Sequence, residues 1–197
     1  DPSVIYLSLN GDTLQPGGSL SVKLDFQSQI PEAEDRFGVH VEEKGKLYNL
    51  TFCFPQIAFL KDGKWSEAKY ADNGESYCNA MTDYHVTLNA PSDYVVLSSG
   101  ESETVDGKTV IEAPNVREMA ISACNFATIK SLEANGITFN ILAVDYPATY
   151  PEYLSDLYHV ALTVAIEAVK LYSEKVGPYI YDELDIIPMR FENYGGM

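Results

Sequence analysis

Three histidines, three cysteines and a few closely spaced acids are the side chains of this 197-residue chain equipped to hold a metal or move a proton. His40, His85 and His159 lie far apart, and none has a second histidine one helical turn away. The H-E-x-x-H pattern does not occur. That pattern sets two imidazoles on one helix face around zinc, with a general-base Glu beside them. The histidines therefore read as surface or edge residues, and the sequence nominates no metal ligand and no catalytic residue. Cys53, Cys78 and Cys124 lack C-x-x-C spacing and read as buried thiols, with a Cys53–Cys78 disulfide as the alternative. Glu42-Glu43 and Glu101/Glu103 sit next to turns, where carboxylates stay solvated, and make no acid/base pair. There is no glycine-rich phosphate loop, nucleophile elbow or EF-hand loop. Asn49-Leu50-Thr51 spells a glycosylation acceptor, which matters only in a secretory setting.

The elements that must position these residues are mostly strands. Leu20, Val22, Leu24 and Phe26 alternate with Ser21, Lys23 and Asp25, the period of a half-buried strand. Tyr48, Leu50, Phe52 and Phe54 predict one face of another, stopped by Pro55. Tyr84, Val86, Leu88 and Ala90 predict a third, against Asp83, His85, Thr87 and Asn89. Shorter strands are expected near residues 94–97, 109–112 and 119–123. Asp62-Gly63, Asn73-Gly74 and Asp106-Gly107 punctuate the series as turns. Many short strands separated by turn residues predict a mainly β protein, an antiparallel β-sandwich over residues 1–134.

From Asn135-Gly136 onward the pattern changes to strand, long helix, strand, and residues 135–197 are expected to begin a second, α/β unit. Thr149 and Glu152 fit a capping box. Leu154, Tyr158, Ala161, Leu162, Ala165, Val169 and Tyr172 make an apolar stripe along a helix over residues 149–177. Gly177-Pro178 ends it. Val160, Val164, Ile166 and Leu171 lie off that stripe, so the helix is apolar on more than one side. An exposed apolar patch covered by self-association is the expected result. Leu184 to Met189 reads as a final strand.

With 46% hydrophobic and 21% charged residues the chain can bury a core. Its net charge of −16 repels phosphate backbones and anionic lipid heads, so neither nucleic acid nor a membrane surface is an expected partner. No apolar run approaches the ~20 residues of a membrane-spanning helix. The opening Asp1-Pro2, without an initiator Met, suggests that an upstream stretch has been removed.

The last third carries a resemblance. Glu174-Lys-Val-Gly177-Pro178-Tyr-Ile-Tyr-Asp-Glu183-Leu184-Asp185-Ile-Ile-Pro188, followed by Tyr194-Gly195-Gly196-Met197, resembles a signature stretch of the aminopeptidase-N family of zinc aminopeptidases. In that family a long helix ends at a Gly-Pro-Tyr-like turn. A Leu-Asp-apolar-apolar-x-Pro strand and a Gly-(Gly/Ala)-Met-Glu motif follow. Earlier blocks are similar in the same order: Leu14-Gln-Pro-Gly17, Phe52-Cys-Phe-Pro55, Asp62-Gly-Lys-Trp65, Asn73-Gly-Glu75, and Asp83 through Val96 to Ser99-Gly-Glu101.

The resemblance implies a saddle-like β-rich amino-terminal domain walling a substrate cleft, then the start of a thermolysin-like catalytic domain. It implies zinc and a peptide substrate for the parent enzyme, and no cofactor and no catalysis for this piece, which stops short of the zinc motif. Gly195, Gly196 and Met197 are then expected to form a substrate-binding edge, because paired glycines let a peptide backbone approach and pair as an added strand. The family also places a polar β-domain residue near the substrate's amino end. Asn49 is the candidate here, with a turn-exposed Asn making no contacts as the alternative. A free-standing β-sandwich binding module and a non-catalytic relative of the family are the competing readings. The resemblance leans towards a location outside the cytoplasm.

Overall fold

The structure, a computed structural model, describes residues 4–11, 13–66, 79–144 and 153–189. The chain divides into two compact units, one of residues 1–29 and 54–80, the other of residues 30–53 and 81–197.

In the second unit, β1 (Phe37–Glu42) and β2 (Gly45–Leu50) form a hairpin. Together with β9 (Ile121–Cys124) and β6 (Val95–Ser98) they make an antiparallel sheet in the order β1-β2-β9-β6. A second antiparallel sheet runs β5 (Thr82–Leu88), β8 (Lys108–Val116), β7 (Glu101–Val105). The third sheet is mixed: β10 (Ala127–Ala134) pairs antiparallel with β11 (Ile137–Val144), and β12 (Glu183–Ile186) adds parallel to β11. Between β11 and β12 the chain crosses over through α1 (Tyr153–Lys175). A parallel pair needs such a crossover, because a tight turn can only reverse direction. The described residues are thus mainly β with one helix.

Turn chemistry is the best-read part of the sequence. Asp106-Gly107 joins β7 to β8 and Asn135-Gly136 joins β10 to β11. In each pair both residues have positive φ, 50° and 76° in the first and 55° and 78° in the second. That is the primed turn that Asp-Gly and Asn-Gly favour. Residue 134 is thus the last position of β10, inside a hairpin. In the first unit Asp62-Gly63, with φ of 51° and 73°, joins β3 (Leu60–Lys61) to β4 (Lys64–Trp65). Asn73-Gly74 lies outside the described residues.

Two expected strands differ. Residues 20–26 form no strand, and Leu20, Val22, Leu24 and Phe26 are all exposed. Alternation marks a segment as strand-compatible, but a strand also needs an edge to bond, and no described strand pairs with this one. β2 ends at Leu50 instead of running to Phe54, because Phe52 takes a left-handed φ of 58°. Its buried residues are Leu47 and Asn49, the opposite alternation from the Tyr48/Leu50 face predicted. β5 does alternate as read, with Tyr84, Val86 and Leu88 partly buried and His85 and Thr87 exposed.

The helix packs on one face of the mixed sheet. Phe139, Ile141 and Ala143 of β11 meet Tyr158 and Leu162, and Ala161, Ala165, Ile166, Val169, Leu184 and Ile186 close around them. The Tyr158 hydroxyl accepts from the Val144 N–H at 2.8 Å and donates to the Val144 carbonyl at 3.0 Å. Gly177, at φ 149°, follows the helix end, and its N–H and that of Val176 both bond the Tyr172 carbonyl. Thr149, Glu152 and the Leu154 side chain lie outside the described residues. Tyr172, expected on the inner stripe, is 64% exposed, and Ile166, expected off it, packs inward. The exposed apolar patch is present: Leu157, Val160, Val164 and Leu171 recur at helical spacing on a second, solvent-facing row. No described helix is long and apolar enough to cross a membrane.

Candidate functional site

The opposite face of the mixed sheet carries the polar chemistry. In β12, Leu184 and Ile186 pack towards α1, so the strand's period of two sends Glu183 and Asp185 to the other side. The parallel register sets Asp185 beside Asn140 of β11, and the antiparallel register sets Asn140 beside Ser131 of β10. A polar rung therefore crosses three strands. Ser131 Oγ donates to Asn140 Oδ1 at 2.5 Å, and Asn140 Nδ2 donates to Asp185 Oδ1 at 2.9 Å. The rung reaches the first sheet as well, where the Ser98 N–H of β6 donates to Asp185 Oδ2 at 3.1 Å.

Ser98 and Asp185 line a cleft of about 510 Å³, together with Gly100, Glu101, Glu112, Tyr179, Tyr181 and Glu183, among others. Gly100 allows its narrow wall, since a Cβ there would collide with the Glu112 carbonyl. Tyr179 and Tyr181 meet edge to face, with centroids 5.6 Å apart. The Tyr179 hydroxyl donates to the Glu183 carbonyl at 3.0 Å and the Tyr181 hydroxyl to the Asn115 carbonyl at 2.9 Å.

Burial, and then the charge of Asp185, pushes the Glu183 carboxyl up to about 7. Asp185 is also raised by burial, against the lowering effect of the Asn140 and Ser98 donors. Two carboxyls on one strand face oppose each other's ionisation, which is why the charge of Asp185 adds to burial at Glu183. Both Asp185 oxygens are occupied by protein donors, which makes Asp185 an anchor of the fold; it is not presented as a free base.

The predicted site residues fall as follows. Gly195, Gly196 and Met197 lie outside the described residues. Asn49 is in β2, buried and fully engaged: Ser122 Oγ donates to its Oδ1 at 2.8 Å, and its Nδ2 donates to the Asp35 carbonyl at 3.3 Å and to Met189 Sδ at 3.0 Å. It is not a turn-exposed residue without contacts, and the folded chain does not offer its amide for glycosylation. Cys53 and Cys124 carry free thiols, both pushed up by burial, and Cys78 lies outside the described residues. His40 is held between Glu34 and Glu42, at 3.4 and 2.8 Å. His85 pairs across strands with Glu112, and His159 is exposed on α1. Among the described residues no three His, Cys, Asp or Glu side chains are grouped to hold a metal.

Glu183 and Asp185 were legible only as part of a motif, although acids two apart inside an apolar run should itself signal a buried acidic face. Glu101, read as a solvated edge, is exposed, yet its charge also acts on Glu183. The chain matches no protein-family model and no curated protein.

Proposed function

We propose that this chain is the β-rich amino-terminal part of a zinc aminopeptidase of the aminopeptidase-N type: a saddle-like β-sandwich followed by the opening of a thermolysin-like domain. Its role is to wall the substrate cleft and, through Gly195-Gly196-Met197, to offer peptide backbone an edge to pair with. The ordered set of motif blocks supports this reading. The observation that carries it is local: the stretch most like the family's signature folds as helix end, Gly177 turn and β12, in the order the resemblance expects.

Zinc in this reading belongs to the parent enzyme, where it would activate water for attack on the first peptide bond. The described residues offer zinc no ligand set, so no step is assigned to a metal on this chain. Two measurements test the reading. The parent gene downstream of Met197 should encode H-E-x-x-H with a later Glu; a stop codon would favour a free-standing binding module and a broken motif a non-catalytic relative, and either would overturn it. The purified chain should bind no stoichiometric zinc and release no product from amino-acid anilides, and zinc-dependent turnover would refute the proposed division of labour.

A further inference from the structure

We propose that the outer face of α1 is an interface between two copies of this chain, which pair their helices antiparallel about a two-fold axis at Val164. The inner face of α1 is committed to the mixed sheet through Tyr158, Leu162, Ala165 and Val169. Leu157, Val160, Val164 and Leu171 stand outside that contact and are 47–62% exposed. Steps of three, four and seven residues keep them on one line, because seven residues are close to two helical turns. At ~1.5 Å per residue the row runs ~21 Å along the helix. A continuous apolar strip on an exposed helix marks a surface that is covered by another molecule.

Two properties of the row select a second copy as that cover. The first is symmetry. Leu157 and Leu171 lie seven residues either side of Val164, and Val160 and Ala168 lie four either side. A two-fold axis at Val164 reverses the second helix and brings Leu157 of one copy level with Leu171 of the other, so the row is its own complement. Val160 then comes level with Ala168, a large side chain against a small one. The second property is charge. The chain carries a net −16, which drives copies apart. From Leu157 to Lys175 the helix sets Glu167 and Glu174 against Lys170 and Lys175 and has no net charge. Copies that meet at α1 therefore escape the repulsion that the excess of acids imposes elsewhere, and antiparallel helices also set opposite dipole ends together. Four half-exposed side chains fall short of the ~800 Å² per partner of a standard stable interface, so the pair is reversible. The pairing depends on α1 and not on the proposed aminopeptidase reading.

Sedimentation equilibrium and cross-linking on the whole chain test the pairing. The weight-average mass should rise from 21.8 kDa towards twice that value, and no further, as the concentration is raised from about 5 μM to about 500 μM. Val164→Lys sets two ammonium groups together at the axis and should raise the dissociation constant by about tenfold or more. Val105→Lys makes the same charge change at an exposed valine of β7 and should leave the constant unchanged. Cysteine variants read the arrangement, with the wild-type chain as the blank and a short bifunctional thiol reagent as the probe. Val164→Cys chains should cross-link to one another. Leu157→Cys chains alone and Leu171→Cys chains alone should not, while a mixture of the two should. A chain that stays monomeric throughout overturns the pairing and leaves the row to a different protein. Equal weakening by Val105→Lys, growth past the dimer, or Leu157→Cys chains cross-linking alone, as a parallel pair would, overturns it as well.

Discussion

Replacing Asn49 with Ala separates a structural role from a substrate-contacting one. In the folded chain the carboxamide oxygen accepts a hydrogen bond from the Ser122 hydroxyl, and its nitrogen donates to the Asp35 carbonyl and the Met189 sulfur. Asn49→Ala leaves the Ser122 hydroxyl, itself in a buried residue, without its acceptor, which costs ~1–3 kcal/mol. Loss of the Asp35 bond adds ~1 kcal/mol, and the void adds more where the walls cannot close. The expected loss is ~2–4 kcal/mol, a large share of the stability of a domain this size. Urea unfolding followed by tyrosine fluorescence should therefore show a clearly lower midpoint at unchanged slope. Ser122→Ala alone should lose less, and the double variant should lose less than the sum, with coupling of ~1 kcal/mol. An Asn49→Ala midpoint within ~0.5 kcal/mol of wild type would refute the reasoning and return Asn49 to the list of residues free to meet a ligand.

Leu162→Ala, which empties the contact between α1 and β11, should cost ~2–5 kcal/mol in the same assay. Val164→Lys, on the exposed row of the helix, should change stability by no more than ~0.5 kcal/mol while lowering dye binding and any concentration-dependent light scattering; unchanged scattering would mean the row is not an association surface. Stability itself should depend on pH through Glu183. Its carboxyl is raised in the folded state from the ordinary 4.5 to about 7, so its contribution is complete below about 4.5 and is lost as pH rises through about 7. That interval corresponds to ~3 kcal/mol if unscreened and ~1–2 kcal/mol for a carboxyl only partly withdrawn from solvent. Urea midpoints measured from pH 5 to 8 should fall in the wild type and lie flatter in Glu183→Gln.

What the sequence disclosed follows from how local each signal is. Asp106-Gly107 and Asn135-Gly136 need only their own backbone preferences, and both are turns. The helix announced itself through the spacing of Tyr158, Leu162, Ala165 and Val169, and these residues pack as that spacing requires. Where a partner decides the outcome, composition was silent. Leu20 to Phe26 alternates as well as β5 does, but β5 has β8 to bond and the earlier segment has no described strand. In β2 the polar Asn49 takes a buried position because Ser122 and Asp35 are there to meet it, and neither can be foreseen from residues near 49. Asp185 is the same case: its rung is written in three separate stretches, and only the register of β10, β11 and β12 brings them together.

The hydroxyl of Tyr158 does at the end of β11 what a longer β12 would have done. β12 follows β11 only as far as Ile141, three residues before the phenol binds both the N–H and the carbonyl of Val144. A side chain from the crossover helix so substitutes for the missing length of backbone. An incoming extended segment finds the valences at Val144 already filled, and growth of the sheet along that margin, the usual route to fibrous assembly, is blocked there.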